Sequence, residues 1–269
     1  MANARNREHD DTDDATTQSS PRVPTLPVPR AILSQLWLGA LDLFFPPRCV
    51  SCRRRGSWFC SRCYALIVPI ESPLCRRCGQ AIASDTLCPR CQIRPPLVTG
   101  LRAAAYLEGP LRQAIHSFKY NGVRALAQPL GRILYEKGYA ANRMSTDLVL
   151  PVPLHPARLG QRGFNQAALL AEELAWQVGV ELDCEGLVRV RDTRSQVGLS
   201  AAERYANVQG AFAWRGNGLD RKHVLLIDDV CTTGATMEAC AEALWPAGAA
   251  AVWGLALARE GHQQRLLTT

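Results

Sequence analysis

Val224-Leu-Leu-Ile-Asp228-Asp229-Val-Cys231-Thr232-Thr233-Gly234-Ala235-Thr236 sets a run of branched apolar residues directly before two carboxylates, then small hydroxylated residues and a glycine. A short unbroken apolar run reads as a strand buried on both faces, here one that ends at the two acids. Beyond the turn, Met237, Cys240, Ala241 and Leu244 share one side of a helix that stops near Pro246 and Gly248. Parallel sheets bind ligands beyond the carboxyl ends of their strands, where the free amides of a helix start suit a phosphate. Gly234 permits close backbone approach, and the threonine hydroxyls add donors. The carboxylates repel phosphate oxygens and instead fit sugar hydroxyls or a phosphate-bound Mg2+. Together these features ask for a ribose 5-phosphate. None of Lys119, Lys137 and Lys222 stands in a Gly-Lys-Ser/Thr context, which removes a Walker-type nucleotide loop.

Working outward, the alternation of strand and helix recurs. Residues 101–106 read as a short strand, followed by helices over about 111–118 and 123–139. Residues 148–152 are a continuous apolar strand, and Asn165 is placed to cap a helix whose Ala167, Leu170, Ala171, Leu174 and Val178 make one apolar face. Residues 250–258 supply a further strand. The pattern predicts an α/β fold with a central parallel sheet flanked by helices, and no internal repeat is visible in it.

A chain of 269 residues has room for one medium domain and something smaller. Its 47% hydrophobic and 20% charged composition excludes wholesale disorder and fibre. Residues 1–28, rich in Asp, Thr, Ser and Pro, cannot offset the entropy of ordering and read as a disordered tail. Across residues 29–47, Leu33, Trp37, Leu41 and Phe44 recur on one helical face until Pro46 and Pro47 end it. The polar side of this amphipathic helix carries Asp42 and Arg30, too little positive charge for a membrane surface, so docking on the protein body is expected. No run approaches the roughly 18 apolar residues of a membrane span, and the acidic N-terminus lacks an export signal, so a cytoplasmic protein is expected.

The first twenty residues hold five acids and two arginines, which leaves 29 basic and 19 acidic groups, a charge of +10, in the remainder. A basic body fits a polyanionic or phosphorylated partner, although a coding preference for arginine explains the ratio of 28 Arg to three Lys equally well. Eight of the eleven cysteines form four CxxC pairs, Cys49 with Cys52, Cys60 with Cys63, Cys75 with Cys78 and Cys88 with Cys91, separated by 7, 11 and 9 residues. Two thiolates so spaced grip one face of a tetrahedral Zn2+ and a second pair closes the site. Eight ligands suit two structural sites, paired in tandem or interleaved, and one or two zinc ions. Loss of metal is expected to unfold this unit and spare the sheet, which has apolar strands of its own. Between residues 46 and 98, nine arginines against two acids leave about +3 once two four-cysteine zinc sites are counted. Such a unit suits either nucleic-acid contact or a purely structural role.

The acidic pair and its loop resemble the phosphoribosyl pyrophosphate (PRPP) signature of type I phosphoribosyltransferases. Leu150-Pro-Val-Pro-Leu-His155-Pro-Ala-Arg158-Leu-Gly-Gln-Arg162-Gly-Phe-Asn165-Gln166 resembles the pyrophosphate loop of the ComF/GntX family. Residues 195–212, running from Gln196 past Ser200 and Arg204 to Phe212, resemble its second signature, and Phe118-Lys119-Tyr120 its short aromatic-lysine element. The resemblance runs from about residue 32 to 259. It implies a double zinc ribbon over 48–98 and a type I phosphoribosyltransferase fold over 99–262. It further implies that Asp228 and Asp229 hold the ribose at the catalytic centre and that Thr232, Thr233, Gly234, Ala235 and Thr236 hold the 5-phosphate. The backbone at Leu154 and His155 would take the pyrophosphate, with Arg158 and Arg162 adding contacts. Arg204 and Gln196 would lie on a mobile loop over the site. His155 reads either as a general acid or as a satisfied loop histidine. Cys184 and Cys240 read as structural, and Cys231 has no visible activating base.

The implied function is PRPP binding with Mg2+ and phosphoribosyl transfer or PRPP turnover, with an acceptor the sequence does not reveal, in DNA uptake and natural transformation. The alternative is a non-catalytic PRPP-binding accessory protein that handles internalised single-stranded DNA, alone or with a competence helicase. Because the first cysteine, Cys49, lies in a zinc knuckle, neither a glutaminase half nor glutamine-dependent amidotransfer is expected.

Overall fold

The structure is a computed structural model that describes residues 46–261 apart from Asp85, Ser195 and Val197. The expected tail, and the expected helix up to residue 45, lie outside the described residues. In the cysteine region are two short helices, α1 (Ser61–Ala65) and α2 (Pro89–Ile93). Then follow β1 (Gly100–Tyr106), α3 (Gly109–Tyr120), α4 (Ala127–Ile133), β2 (Leu148–Pro151), α5 (Pro156–Arg162), α6 (Gln166–Val178) and β3 (Glu181–Leu182). The chain continues through β4 (Leu187–Arg189), α7 (Ala201–Val208), β5 (Phe212–Trp214), β6 (His223–Cys231), α8 (Ala235–Leu244) and β7 (Ala251–Arg259). The main sheet is parallel throughout, in the order β1-β7-β6-β2-β3, while β4 and β5 form a separate antiparallel pair.

Successive residues of a strand face opposite sides of the sheet, and β6 is apolar on both. Leu225 and Ile227 join Phe118, Leu130, Leu170 and Leu174 in one cluster. Val224 and Leu226 join Met237, Cys240 and Leu244 in the other. Asn165 Oδ1 accepts from the Ala167 amide at 3.0 Å and starts α6 as expected. The helix expected over 123–139 instead opens as a 3-10 turn, Arg124–Leu126, and closes as a π-helical turn, Leu134–Ala140. The strand expected to stop before the acids runs on to Cys231, because β7 pairs with it over its whole length and sets Asp228 against Ala256 and Val230 against Ala258.

Two connections fix where a ligand can sit. From β2 the chain passes through α5 and α6 to β3 on one side, and from β6 it passes through α8 to β7 on the other. The crevice between the carboxyl ends of β2 and β6 is therefore the topological switch point.

The cysteine region is built into this body. Cys49, Phe59, Cys60, Cys63 and Ile67 share a cluster with Ala104, Leu225 and Ile227. Pro69 bridges to Ala105, and the Leu101 amide donates to the Arg77 carbonyl at 2.7 Å, which covers the outer edge of β1. Gly79, at φ +67°, is needed here, since a Cβ would lie 2.2 Å from the Leu101 carbonyl oxygen. This shared core bears on the expectation that loss of the ribbon metal spares the sheet, because the first ribbon packs directly into the main cluster. Among the described residues no helix is long and apolar enough to cross a membrane.

Candidate functional site

The cysteines gather in tandem: Cys49, Cys52, Cys60 and Cys63 in one set, Cys75, Cys78, Cys88 and Cys91 in the other, with the sulfurs of each set within 4.8 Å of one another. Cys49 and Cys63 lie 3.7 Å apart, Cys52 and Cys60 3.5 Å, Cys78 and Cys88 3.7 Å. A tetrahedron with Zn–S bonds of about 2.3 Å has edges of about 3.8 Å, whereas a disulfide would need about 2.05 Å. Burial works against ionising Cys49, but the amides of Cys52, Cys60 and Ser51 outweigh it and bring the thiol down to about 6. The amides of Cys88, Cys78 and Arg77 likewise overcome burial at Cys75 and bring it to about 6. Burial pushes Cys63 up to about 12 and raises Cys91 as well. Holding four thiolates in each set thus calls for a cation, and both sets fit a structural zinc.

The acids are the sixth and seventh of the nine residues of β6. Asp229 is buried, and its Oδ1 pairs with Lys119 Nζ at 2.8 Å. Burial opposes the charge on Lys119, but Asp229 and Asp228 outweigh it and hold the ammonium above the usual lysine value. Asp228 Oδ1 accepts from the Asp229 amide at 2.8 Å. Burial, then the charge of Asp229, pushes Asp228 from an ordinary 3.8 up to about 7, with Lys119 opposing. Two acids thus share one internal cation, which leaves room for hydroxyl donors or a second cation. Lys119 is not among the residues expected to hold the ligand; its signals in the sequence are the Phe118-Lys119-Tyr120 element and its rarity, one of three lysines against 28 arginines.

The raised value of Asp228 means that folding favours its protonated form. The stability it contributes is complete below about 4 and is lost as pH rises to about 7. Asp228→Asn, which cannot ionise, will gain stability relative to the ligand-free wild type across that window. Urea midpoints of the two proteins from pH 5 to 8 measure this, and a constant difference would contradict it.

Residues 232–236 carry β6 into α8. Gly234 makes the turn at φ +87°, with Leu101 Cδ2 3.1 Å from where a Cβ would stand. Thr233 Oγ1 accepts from the Ala235 amide at 3.3 Å. Thr232 Oγ1 accepts from Arg204 Nη1 at 2.5 Å, and Thr236 Oγ1 from Gln196 Nε2 at 3.0 Å. Arg204 sits on α7, begun by a reciprocal Ser200 and Glu203 capping box, rather than on a loop. Cys231 is buried and its thiol is pushed up by burial, the opposite of an activated nucleophile. Cys240 is fully buried on α8, whereas Cys184 is exposed.

The loop after β2 meets this one side by side: the Val152 amide donates to the Ile227 carbonyl at 2.9 Å, and Asn165 Nδ2 to the Val152 carbonyl at 3.0 Å. Leu154 is half-buried within it. His155 caps α5, its Nδ1 accepting from the Ala157 amide at 3.4 Å and lying 3.7 Å from Asp192 Oδ1. Arg158 Nη2 donates to the Thr193 carbonyl at 2.6 Å. Arg162 Nη1 donates to Gln166 Oε1 at 3.0 Å, with its guanidinium 5.5 Å from the centre of the Tyr120 ring.

Comparison with known proteins covers both halves of this arrangement. A double zinc ribbon domain matches residues 40–92 and a phosphoribosyl transferase domain matches residues 164–267. The DNA utilization protein YhgH of Salmonella typhimurium is 36% identical over 222 residues, 78% of this chain and 96% of its own. Competence protein F of Haemophilus influenzae is 32% identical over 228 residues, 80% of this chain and 99% of its own. Competence protein ComFC of Bacillus subtilis is 27% identical over 202 residues, 71% of this chain and 80% of its own. Likeness that extends through ribbon and sheet over nearly the whole of the first two proteins is likeness of the entire architecture, and on that ground the chain belongs to the ComF/GntX family.

Proposed function

We propose that this chain binds PRPP with Mg2+ in the crevice between β2 and β6 and catalyses phosphoribosyl transfer or PRPP hydrolysis in the service of DNA uptake. The observation that carries the reading is the acid pair, balanced by Lys119, beside a threonine-rich loop at the switch point of the sheet. Asp228 and Asp229 accept from the ribose hydroxyls. The loop hydroxyls and the amides that open α8 hold the 5-phosphate. The backbone at Leu154 and His155 receives the pyrophosphate, and Arg158 and Arg162 turn from their present partners toward its oxygens. Mg2+ supplies, when bound, neutralisation of the leaving pyrophosphate. The names of the relatives, DNA utilization and competence, support the cellular setting.

Calorimetric titration with PRPP and Mg2+, followed by assay for pyrophosphate and ribose 5-phosphate, is the direct test; absence of binding heat at every Mg2+ concentration would remove the reading. Because the ribose needs Asp228 as a carboxylate, PRPP affinity will fall about tenfold for each pH unit below about 7.

A second reading, contact with single-stranded DNA, is favoured by the exposure of Arg48, Arg53, Arg54, Arg55 and Arg62 on the first ribbon. Phosphate contacts release about 0.7 counterion each on single strands. Replacing Arg53, Arg54 and Arg55 by Ala will therefore lower the slope of log affinity against log salt by about two. Fluorescence anisotropy with an oligonucleotide at several ionic strengths measures the slope; binding indifferent to salt would exclude this surface.

A further inference from the structure

The second ribbon touches the phosphate loop. Arg90 stands between Cys88 and Cys91 on α2, and its Nη2 donates to the Thr233 carbonyl at 3.0 Å. The same guanidinium donates to the Tyr205 hydroxyl. That hydroxyl lies 3.2 Å from the Thr233 carbonyl oxygen and donates to the buried Glu238 Oε1 at 2.5 Å. Arg94 stacks 4.7 Å from the centre of the Tyr205 ring and holds it from the same side of the ribbon. A second strut runs through Arg259, which donates to the Cys78 carbonyl and reaches Cys231 Sγ, next to the loop, at 3.9 Å.

A peptide unit is planar, so fixing the Thr233 carbonyl fixes the plane it shares with the Gly234 amide. That plane sets how the chain turns at Gly234 into α8, and so where the first amides of the helix point. Arg90 takes its own place from the knuckle that Cys88 and Cys91 form. Coordination by the four sulfurs needs neither its guanidinium nor that of Arg259, so both contacts are additional to metal binding.

We infer that Arg90 is a positioning residue for the phosphate loop, and that through it a metal held by Cys75, Cys78, Cys88 and Cys91 and an anion held at residues 232–236 stabilise one another. The identity of the anion rests on the function proposed above, whereas the contact between ribbon and loop does not. Coupling of this kind is reciprocal: what the metal gives the loop, the ligand returns to the metal.

Hydrogen exchange of the 232–236 amides in the full-length protein, with zinc content measured in parallel, tests the ribbon-to-loop direction without any ligand. Arg90→Ala will retain both zinc ions and exchange about fivefold faster there, the weight of one exposed charge-assisted hydrogen bond. Arg90→Lys will recover part of the protection, and Cys88→Ser will lose at least as much as Arg90→Ala. Unchanged exchange in Arg90→Ala defeats the inference. The reverse direction is read from the rate at which a chromogenic zinc chelator strips the protein with and without PRPP and Mg2+, the two ribbons being told apart with Cys75→Ser, which keeps the first-ribbon zinc alone. PRPP will slow release from the second ribbon about fivefold and lose this effect in Arg90→Ala, whereas any slowing at the first ribbon, whose cysteines share the main core, will persist in Arg90→Ala. If PRPP binds the wild type and does not slow release from the second ribbon, or slows it equally in Arg90→Ala, the coupling is wrong. If PRPP fails to bind, the proposed function falls, and the exchange experiment alone decides the role of Arg90.

Discussion

Stripping the metal from the first ribbon will unfold the sheet together with the ribbon. Cys49, Cys60 and Cys63 lie in one cluster with Phe59, Ile67, Ala104, Leu225 and Ile227, so the four-thiol set is a wall of the main core. Binding of a structural zinc contributes on the order of 10 kcal/mol or more near neutral pH. A whole domain has about 5–15 kcal/mol to lose. The second set differs, since Cys75, Cys78, Cys88 and Cys91 make their own small cluster with Ile82 and Leu87. Cys63→Ser will therefore abolish the cooperative thermal transition seen by far-ultraviolet circular dichroism. Cys75→Ser will keep that transition and lose one zinc. A sheet that still melts cooperatively after the first zinc is gone would show that the shared cluster contributes little.

Asp228→Asn combined with Asp229→Asn will lower PRPP affinity at least about a hundredfold, since each hydrogen bond to a charged acceptor is worth roughly 1.5–3 kcal/mol. This variant also has a stability cost that lies wholly on Asp229. Its carboxylate is the partner of a Lys119 ammonium that is itself mostly buried, and removing one member of such a pair costs about 3 kcal/mol. Adding Lys119→Met will restore most of that stability and none of the PRPP affinity. Urea unfolding of the single, double and triple variants, with calorimetry on each, separates the two effects. Thr233→Val will weaken PRPP less, because the backbone amides of the loop remain. Wild-type affinity in the double variant would mean that the acids serve only the ion pair.

Much of this molecule is written locally. Four pairs of cysteines, each two residues apart, declare metal knuckles. The apolar runs of β2, β6 and β7 declare buried parallel strands, and Asn165 and Gly234 mark the helix starts beside the crevice. Each signal is carried by residues a few positions apart, which is why the α/β class, the ribbon and the turn from β6 into α8 can be read from the chain alone. The end of β6 could not, since pairing along β7, and not the strand's own residues, draws it past the acids to Cys231. Nor could the choice between tandem and interleaved knuckles, which depends on how the four loops approach one another. Lys119 meets Asp229 and Arg90 meets Thr233 across separations for which no periodicity exists in the sequence. Charge and hydrogen bonding act through space, so only the packing of α3 and of the second ribbon against the end of β6 decides which cation faces which oxygen.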